Sequence, residues 1–172
     1  IEVIYSKKDN LPVFKVSGYL LHSKYDPIKE AKKFVEQHYK KHYLHILFGY
    51  GNGYIVDEFK KNISESEFLL VFEPNISFKD KVDYSAVEEE NVKLIVSESI
   101  NEFKRIFQYL VQQFPKRIQI IVSPNYDKIY PKVYKDLLKT TNDLIKLEIV
   151  NTNTINFFAH DWQKNYLLNL FH

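Results

Sequence analysis

Four apolar runs of strand length, Tyr43 to Phe48, Phe68 to Phe72, Val92 to Val96 and Arg117 to Val122, recur along the chain, separated by stretches of helical periodicity. Short continuous apolar runs are the pattern of strands buried on both faces. Strands that alternate with helices need right-handed crossover connections, and these build a parallel sheet. The spacing therefore predicts an α/β fold with a doubly wound, mainly parallel sheet.

The first of these strands runs into LHILFGYGNGYIVDEF, Leu44 to Phe59, which spends three of the chain's four glycines at Gly49, Gly51 and Gly53. In an open α/β sheet, ligands bind outside the carboxyl ends of the strands, and the turn after the first parallel strand is the usual place. Glycine lets the backbone approach a ligand closely, and the N–H groups that open the next helix can face an anion. The spacing is G-x-G-x-G, so the comparison tilts from nicotinamide cofactors toward S-adenosylmethionine or another nucleotide-type ligand, and no Gly-Lys-Ser/Thr follows to make a phosphate loop. Glu73 ends the second strand about 20 residues further on, where Rossmann-like folds place a carboxylate on ribose hydroxyls. Gly49, Gly51, Asn52, Gly53, Glu73 and Asn75 form the candidate ligand set, with Ser97 and Glu98 on the same rim at the end of the third strand. A second reading stays open: the glycines serve only to pack the strand on its helix, and Glu73 is a solvated strand end before Pro74.

Around this centre the chain reads as one domain. Residues 1–21 predict a β-hairpin, Glu2 to Ser6 and Val13 to Leu21, able to extend a sheet at one edge. Residues 22–125 predict the α/β core. Its first helix starts at Pro27 with Asp26 as N-cap, and Ile28, Ala31, Phe34, Val35 and Tyr39 share one face. Asn75 to about Val82 predicts a short helix, and Ser99 with Glu102 reads as a capping box opening a helix to Phe114. Residues 131–172 predict closing helices, one long or two in succession around a polar NTNT stretch.

Composition sets the function classes aside. The chain has 172 residues, 45% hydrophobic and 27% charged, which is ordinary for a folded domain. A net charge of +2 gives no broad field for nucleic acid. The absence of cysteine removes disulfides, thiolate metal sites and thiol nucleophiles, and fits a cytoplasmic protein. No run is long enough to span a membrane. Methionine is absent even at position 1, which reads as a piece of a longer protein. No catalytic set assembles: His38 and His42 are four apart without a third metal ligand, and His22 and Ser23 lack a nucleophile elbow. Trp162 reads as a core or interface anchor.

The segments LHSKYDPIKEAKKF, HILFGYGNGYIVDEF, LLVFEPN and NTNTINFFAHDWQKNYLLNL, in this order from His22 onward, resemble the amino-terminal region of the motility accessory factor proteins. These are bacterial flagellin glycosyltransferases that attach sialic-acid-like nonulosonic sugars to Ser or Thr during flagellum assembly. The resemblance implies that His22, Ser23, Tyr25 and Asp26 match one family motif, and that Trp162, Asn165 and Asn169 match the closing helix. It implies a Rossmann-like amino-terminal domain with a supporting or recognition role. The transferase centre belongs to a following domain with its own glycine-serine signature, absent from these residues. The implied partners are that catalytic domain and flagellin. Two alternatives are an S-adenosylmethionine-dependent methyltransferase, with Gly49 to Gly53 around the cofactor and Glu73 on its ribose, and an interaction module built on aromatic-rich helices.

Overall fold

The computed structural model describes residues 1–170, with side chains described through residue 152. The four apolar runs form strands β4 (Leu44–Phe48), β5 (Phe68–Glu73), β6 (Val92–Val96) and β7 (Ile118–Val122), all parallel, in the order β6-β5-β4-β7. Lateral progression thus starts at β4, runs outward through β5 to β6, and then returns to β4's other side with β7. Every residue of β4 is buried, as a central strand covered on both faces requires. Alternation divides the sheet residues between two cores. Leu44, Ile46, Phe48, Leu70 and Phe72 face one side, where Phe103 and Phe107 of helix α3 (Asn101–Gln113) and Leu137 and Leu144 of α5 (Pro131–Leu170) pack. Leu47, Leu69 and Val71 face the other, against Ala31 and Val35 of α1 (Pro27–His38) and Ile55, Val56 and Phe59 of α2 (Tyr54–Lys60). The architecture is α/β, a four-stranded parallel sheet flanked by helices, of the Rossmann-like class.

Several local expectations hold. Pro27 opens α1 after Asp26, whose carboxylate accepts from Lys29 N at 2.9 Å and pairs with Lys8 at 2.6 Å. The Lys8 contact, then the Lys29 N–H, hold the Asp26 carboxyl below its ordinary value. Others change. Residues 1–21 form a three-stranded antiparallel sheet of its own, β1 (Glu2–Tyr5), β2 (Pro12–Val16) and β3 (Tyr19–Leu20), and do not extend the parallel sheet. The break falls at Ser17 and Gly18, with φ of 49° and 83°, the paired positive values of a two-residue hairpin turn. Ile28 is exposed because the buried face of α1 centres on Pro27, Ala31 and Val35. The short helix after β5 is a 3-10 segment, Ile76–Asp80, begun by Asn75 accepting from Ser77 N.

The Ser99–Glu102 capping box does not form. Ser97 Oγ accepts from Ser99 N at 3.1 Å and Ser99 Oγ from Asn101 N at 3.3 Å, two successive local turns that take the serine oxygens before the cap can. A short helix missed by periodicity, α4 (Tyr126–Ile129), precedes α5. The NTNT stretch does not divide the closing helix, since polar residues lower helix propensity by only tenths of a kcal/mol each where no Pro or Gly intervenes. No helix among the described residues is long and apolar enough to cross a membrane.

The first turns of α5 belong to the core while its middle does not. Leu137 is fully buried and Leu147 is 55% exposed. Leu137→Ala is expected to lower the unfolding free energy by roughly 3 kcal/mol, and Leu147→Ala by less than about 0.5 kcal/mol, in urea titrations at matched slope.

Candidate functional site

The carboxyl end of β4 passes into the glycine turn, which holds three successive left-handed glycines: φ is 105° at Gly49, 59° at Gly51 and 88° at Gly53. Two tyrosine rings press on the turn. A Cβ on Gly49 would lie 2.5 Å from the ring of Tyr126, and one on Gly53 2.5 Å from the Tyr50 hydroxyl, so close packing as well as φ excludes a side chain at both.

The turn's N–H groups converge on Glu73 at the end of β5. Its Oε2 accepts from Tyr50 N at 2.9 Å, from Gly51 N at 3.1 Å and from the Tyr126 hydroxyl at 2.5 Å, and its Oε1 accepts from Asn75 N at 2.8 Å. Gly51 N also donates to the Tyr126 oxygen at 2.8 Å. Glu73 and Tyr126 are both fully buried. Burial raises the Glu73 carboxyl, and Tyr126 and the Asn75, Gly51 and Tyr50 N–H groups oppose it, which leaves the carboxyl at about 7. Burial, with the Glu73 charge second, drives the Tyr126 phenol well above its ordinary 10.0.

The segment after β7 locks this cluster. Ser123 Oγ donates to Gly49 O at 2.6 Å, and Asn125, left-handed at φ 66°, places Tyr126 over the turn and donates through Nδ2 to Leu20 O at 2.7 Å. From the other side the small antiparallel sheet closes over the strand ends. Phe14 N donates to Asn52 Oδ1 at 2.9 Å, and the Tyr54 hydroxyl to Pro12 O at 2.7 Å. Asn52 N donates to Nε2 of buried His22 at 3.3 Å, so that nitrogen is the acceptor and Nδ1 carries the proton. Nδ1 has no hydrogen-bond partner and lies 3.7 Å from Glu30 Oε2.

The structure thus brings Gly49, Gly51, Asn52, Gly53, Glu73 and Asn75 together and adds His22 to them. Glu73 is no solvated strand end. Ser97 and Glu98 stay outside: Ser97 touches Glu73 only through its N–H to Glu73 O at 3.0 Å, and Glu98 is exposed. In the LHSKYDP motif His22 and Asp26 are buried, Ser23 Oγ accepts from Tyr25 N and Asp26 N, and Tyr25 is 63% exposed. The side chains of Trp162, Asn165 and Asn169 lie outside the described residues. His38 ends α1 and His42 sits in a left-handed turn, so they share no helix face, and no group of three metal-ligating residues forms among the described residues. Sequence reasoning missed Tyr126 and Ser123. Their segment, SPNYD, reads only as a strand terminator, with no periodicity to aim a tyrosine at the turn.

Chemically the cluster is a carboxylate with four donors and no nucleophile beside it. Of the turn residues, Asn52 lines a surface depression of about 450 Å³ with Pro12, Phe14 and Lys81. No family model matches the chain, and no match is found among curated proteins or solved structures.

The folded Glu73 carboxyl binds its proton more tightly than the ordinary value of 4.5, so its protonation favours the folded state. That contribution is complete below pH 4.5 and is lost as pH rises through about 7. Glu73→Gln leaves one carbonyl oxygen for four donors and is expected to be less stable at every pH. The stability difference from the unmodified chain should narrow by about 3 kcal/mol between pH 4.5 and 7 in urea unfolding; a constant difference would contradict this account of the buried acid.

Proposed function

We propose that the chain is the amino-terminal supporting and recognition domain of a flagellin glycosyltransferase of the motility accessory factor type. Transfer of the sialic-acid-like sugar to flagellin Ser or Thr belongs, in this proposal, to a separate catalytic domain of the same protein. Supporting it are the resemblance of the LHSKYDP, glycine-turn and closing-helix segments and one observation that carries the non-catalytic part. The N–H groups that a Rossmann-like turn would offer to a ligand are bonded instead to Glu73 and Tyr126 of the same chain. The doubly wound, methyltransferase-like form of the fold is part of the proposal, supported by the β6-β5-β4-β7 order with helices on both faces. A cytoplasmic site agrees with a chain free of cysteine.

The second reading is a methyltransferase-like domain that binds S-adenosylmethionine. Favouring it are the G-x-G-x-G turn at the carboxyl end of β4 and the depression beside Asn52. It requires Glu73 to exchange the Tyr50 and Gly51 N–H groups for ribose hydroxyls, which would expose a carboxylate now fully buried.

Intact-mass spectrometry of flagellin tests the first reading. Deleting residues 1–172 from the full-length protein is expected to strip the nonulosonic sugar mass from flagellin while the polypeptide is still made; an unchanged glycan mass overturns it. Titration calorimetry of the chain with S-adenosylmethionine, S-adenosylhomocysteine and cytidine nucleotides separates the second. No heat of binding is expected up to about 1 mM ligand, and a micromolar Kd for either S-adenosyl compound would establish the cofactor reading instead.

A further inference from the structure

The two edges of the parallel sheet are finished differently. At β6, Leu69 N donates to Asn91 O and Ser97 N to Glu73 O, so residues 91, 93, 95 and 97 face β5 and Val92, Leu94 and Val96 turn outward. The chain covers this outer edge itself. Val92 exchanges two hydrogen bonds with Glu89, at 3.1 and 3.2 Å, Leu94 N donates to Glu88 Oε1 at 3.4 Å, and Lys93 pairs with the same Glu88 at 2.7 Å.

At β7, Leu44 N donates to Arg117 O and Ser123 N to Phe48 O, each at 2.9 Å. Residues 117, 119, 121 and 123 therefore face β4, and Ile118, Ile120 and Val122 point their N–H and C=O groups away from the sheet. No partner takes these groups among the described residues, since β7 pairs with β4 alone. The edge also lacks the usual protections: IQIIV contains no charge and no proline. Water can meet these groups one by one, and an added extended strand meets all three alternate N–H and C=O pairs together.

Which strand fits follows from the sequence of the edge. Antiparallel pairing of β7 with itself about Ile120 sets Ile118 opposite the partner's Val122, Ile120 opposite the partner's Ile120 and Gln119 opposite the partner's Ile121. Arg117 falls opposite the partner's Ser123, and Lys116, left-handed at φ 61°, lies in the turn before the strand. Every directly opposed pair is apolar, or joins one cation or amide to an uncharged residue, and no like charges meet. The twofold arrangement closes on itself, whereas a head-to-tail pairing would not. Beside the edge lies a cavity of about 130 Å³, lined mainly by Val111, Ile118, Ile145 and Ile149, with Lys116 and Glu148 also on its wall.

We propose that β7 is a dimerisation edge, at which two copies of this chain join their four-stranded sheets into one sheet of eight strands across a twofold axis at Ile120. Sedimentation velocity from about 1 µM to about 1 mM chain, with amide hydrogen exchange read at the same concentrations, tests it. A monomer–dimer equilibrium is expected. The amides of Ile118, Ile120 and Val122 should exchange at least ~10-fold more slowly as the dimer fills, while those of Gln119 and Ile121, which face β4, stay unchanged. Ile120→Pro removes an N–H that β4 does not use, a position where an edge strand tolerates proline, and is expected to be folded by circular dichroism and monomeric throughout. Gln119→Lys, which sets a charge against the partner's Ile121, is the second variant and should weaken the dimer in the same direction. An unmodified chain that stays monomeric at every concentration overturns the proposal. So does a dimer that survives both variants or leaves the three outward amides unprotected.

Discussion

A carboxylate taken wholly out of water must be met by donors, and around Glu73 that demand ties four segments to one point. The β4 turn supplies Tyr50 N and Gly51 N, the start of the 3-10 segment supplies Asn75 N, the residues after β7 supply the Tyr126 hydroxyl, and β5 carries the acid. The glycines are a consequence of this arrangement. For Gly51 N to reach both Glu73 and Tyr126, and for Tyr126 to lie flat over Gly49, the turn must run through left-handed backbone with no Cβ under the ring. The cluster thus ties the start of the 3-10 segment and the residues after β7 to the ends of β4 and β5, which already share a ladder.

The same arrangement fills the place where this class of fold exposes backbone N–H groups to an anion. Here the Glu73 carboxyl takes that place. The small antiparallel sheet completes the closure through Phe14, Pro12 and Leu20, each bonded to a residue at or just beyond the ends of β4 and β7. Residues 1–21 therefore act on the parallel sheet from its end rather than from its edge. The His22 imidazole works at the same seam, holding Asn52 N from beneath the turn.

The parallel strands were legible because burial on both faces leaves a continuous apolar run, and Asp26-Pro27 was legible because capping is local chemistry. The grouping of the glycines with Glu73 was legible too, since strand length and crossover length alone bring those positions together. What could not be read was the direction in which Glu73 faces. A strand-end acid bonded to a ribose and one bonded to its own turn have the same spacing, and the difference rests on Tyr126, more than fifty residues away, placed by the left-handed Asn125. The failed capping box has a related cause. Ser99 had two local acceptor roles of similar strength, and Ser97, two residues earlier, decided between them.

In this fold the crevice is closed by the chain's own side chains, and burial divides the residues of the LHSKYDP segment in the same way. His22 holds the glycine turn, Asp26 caps α1 and ties down Lys8, and Ser23 shapes the turn between them, so these three positions are constrained by folding alone. Tyr25 is the exception: the residue is 63% exposed, and its hydrogen bonds are made by its backbone, the N–H donating to Ser23 Oγ and the carbonyl accepting from Lys8 N. Folding asks nothing of an aromatic side chain there, and a ring held in water at the end of a rigid motif is the kind of anchor that protein interfaces use. In this motif, then, three residues build the platform and one is presented on it.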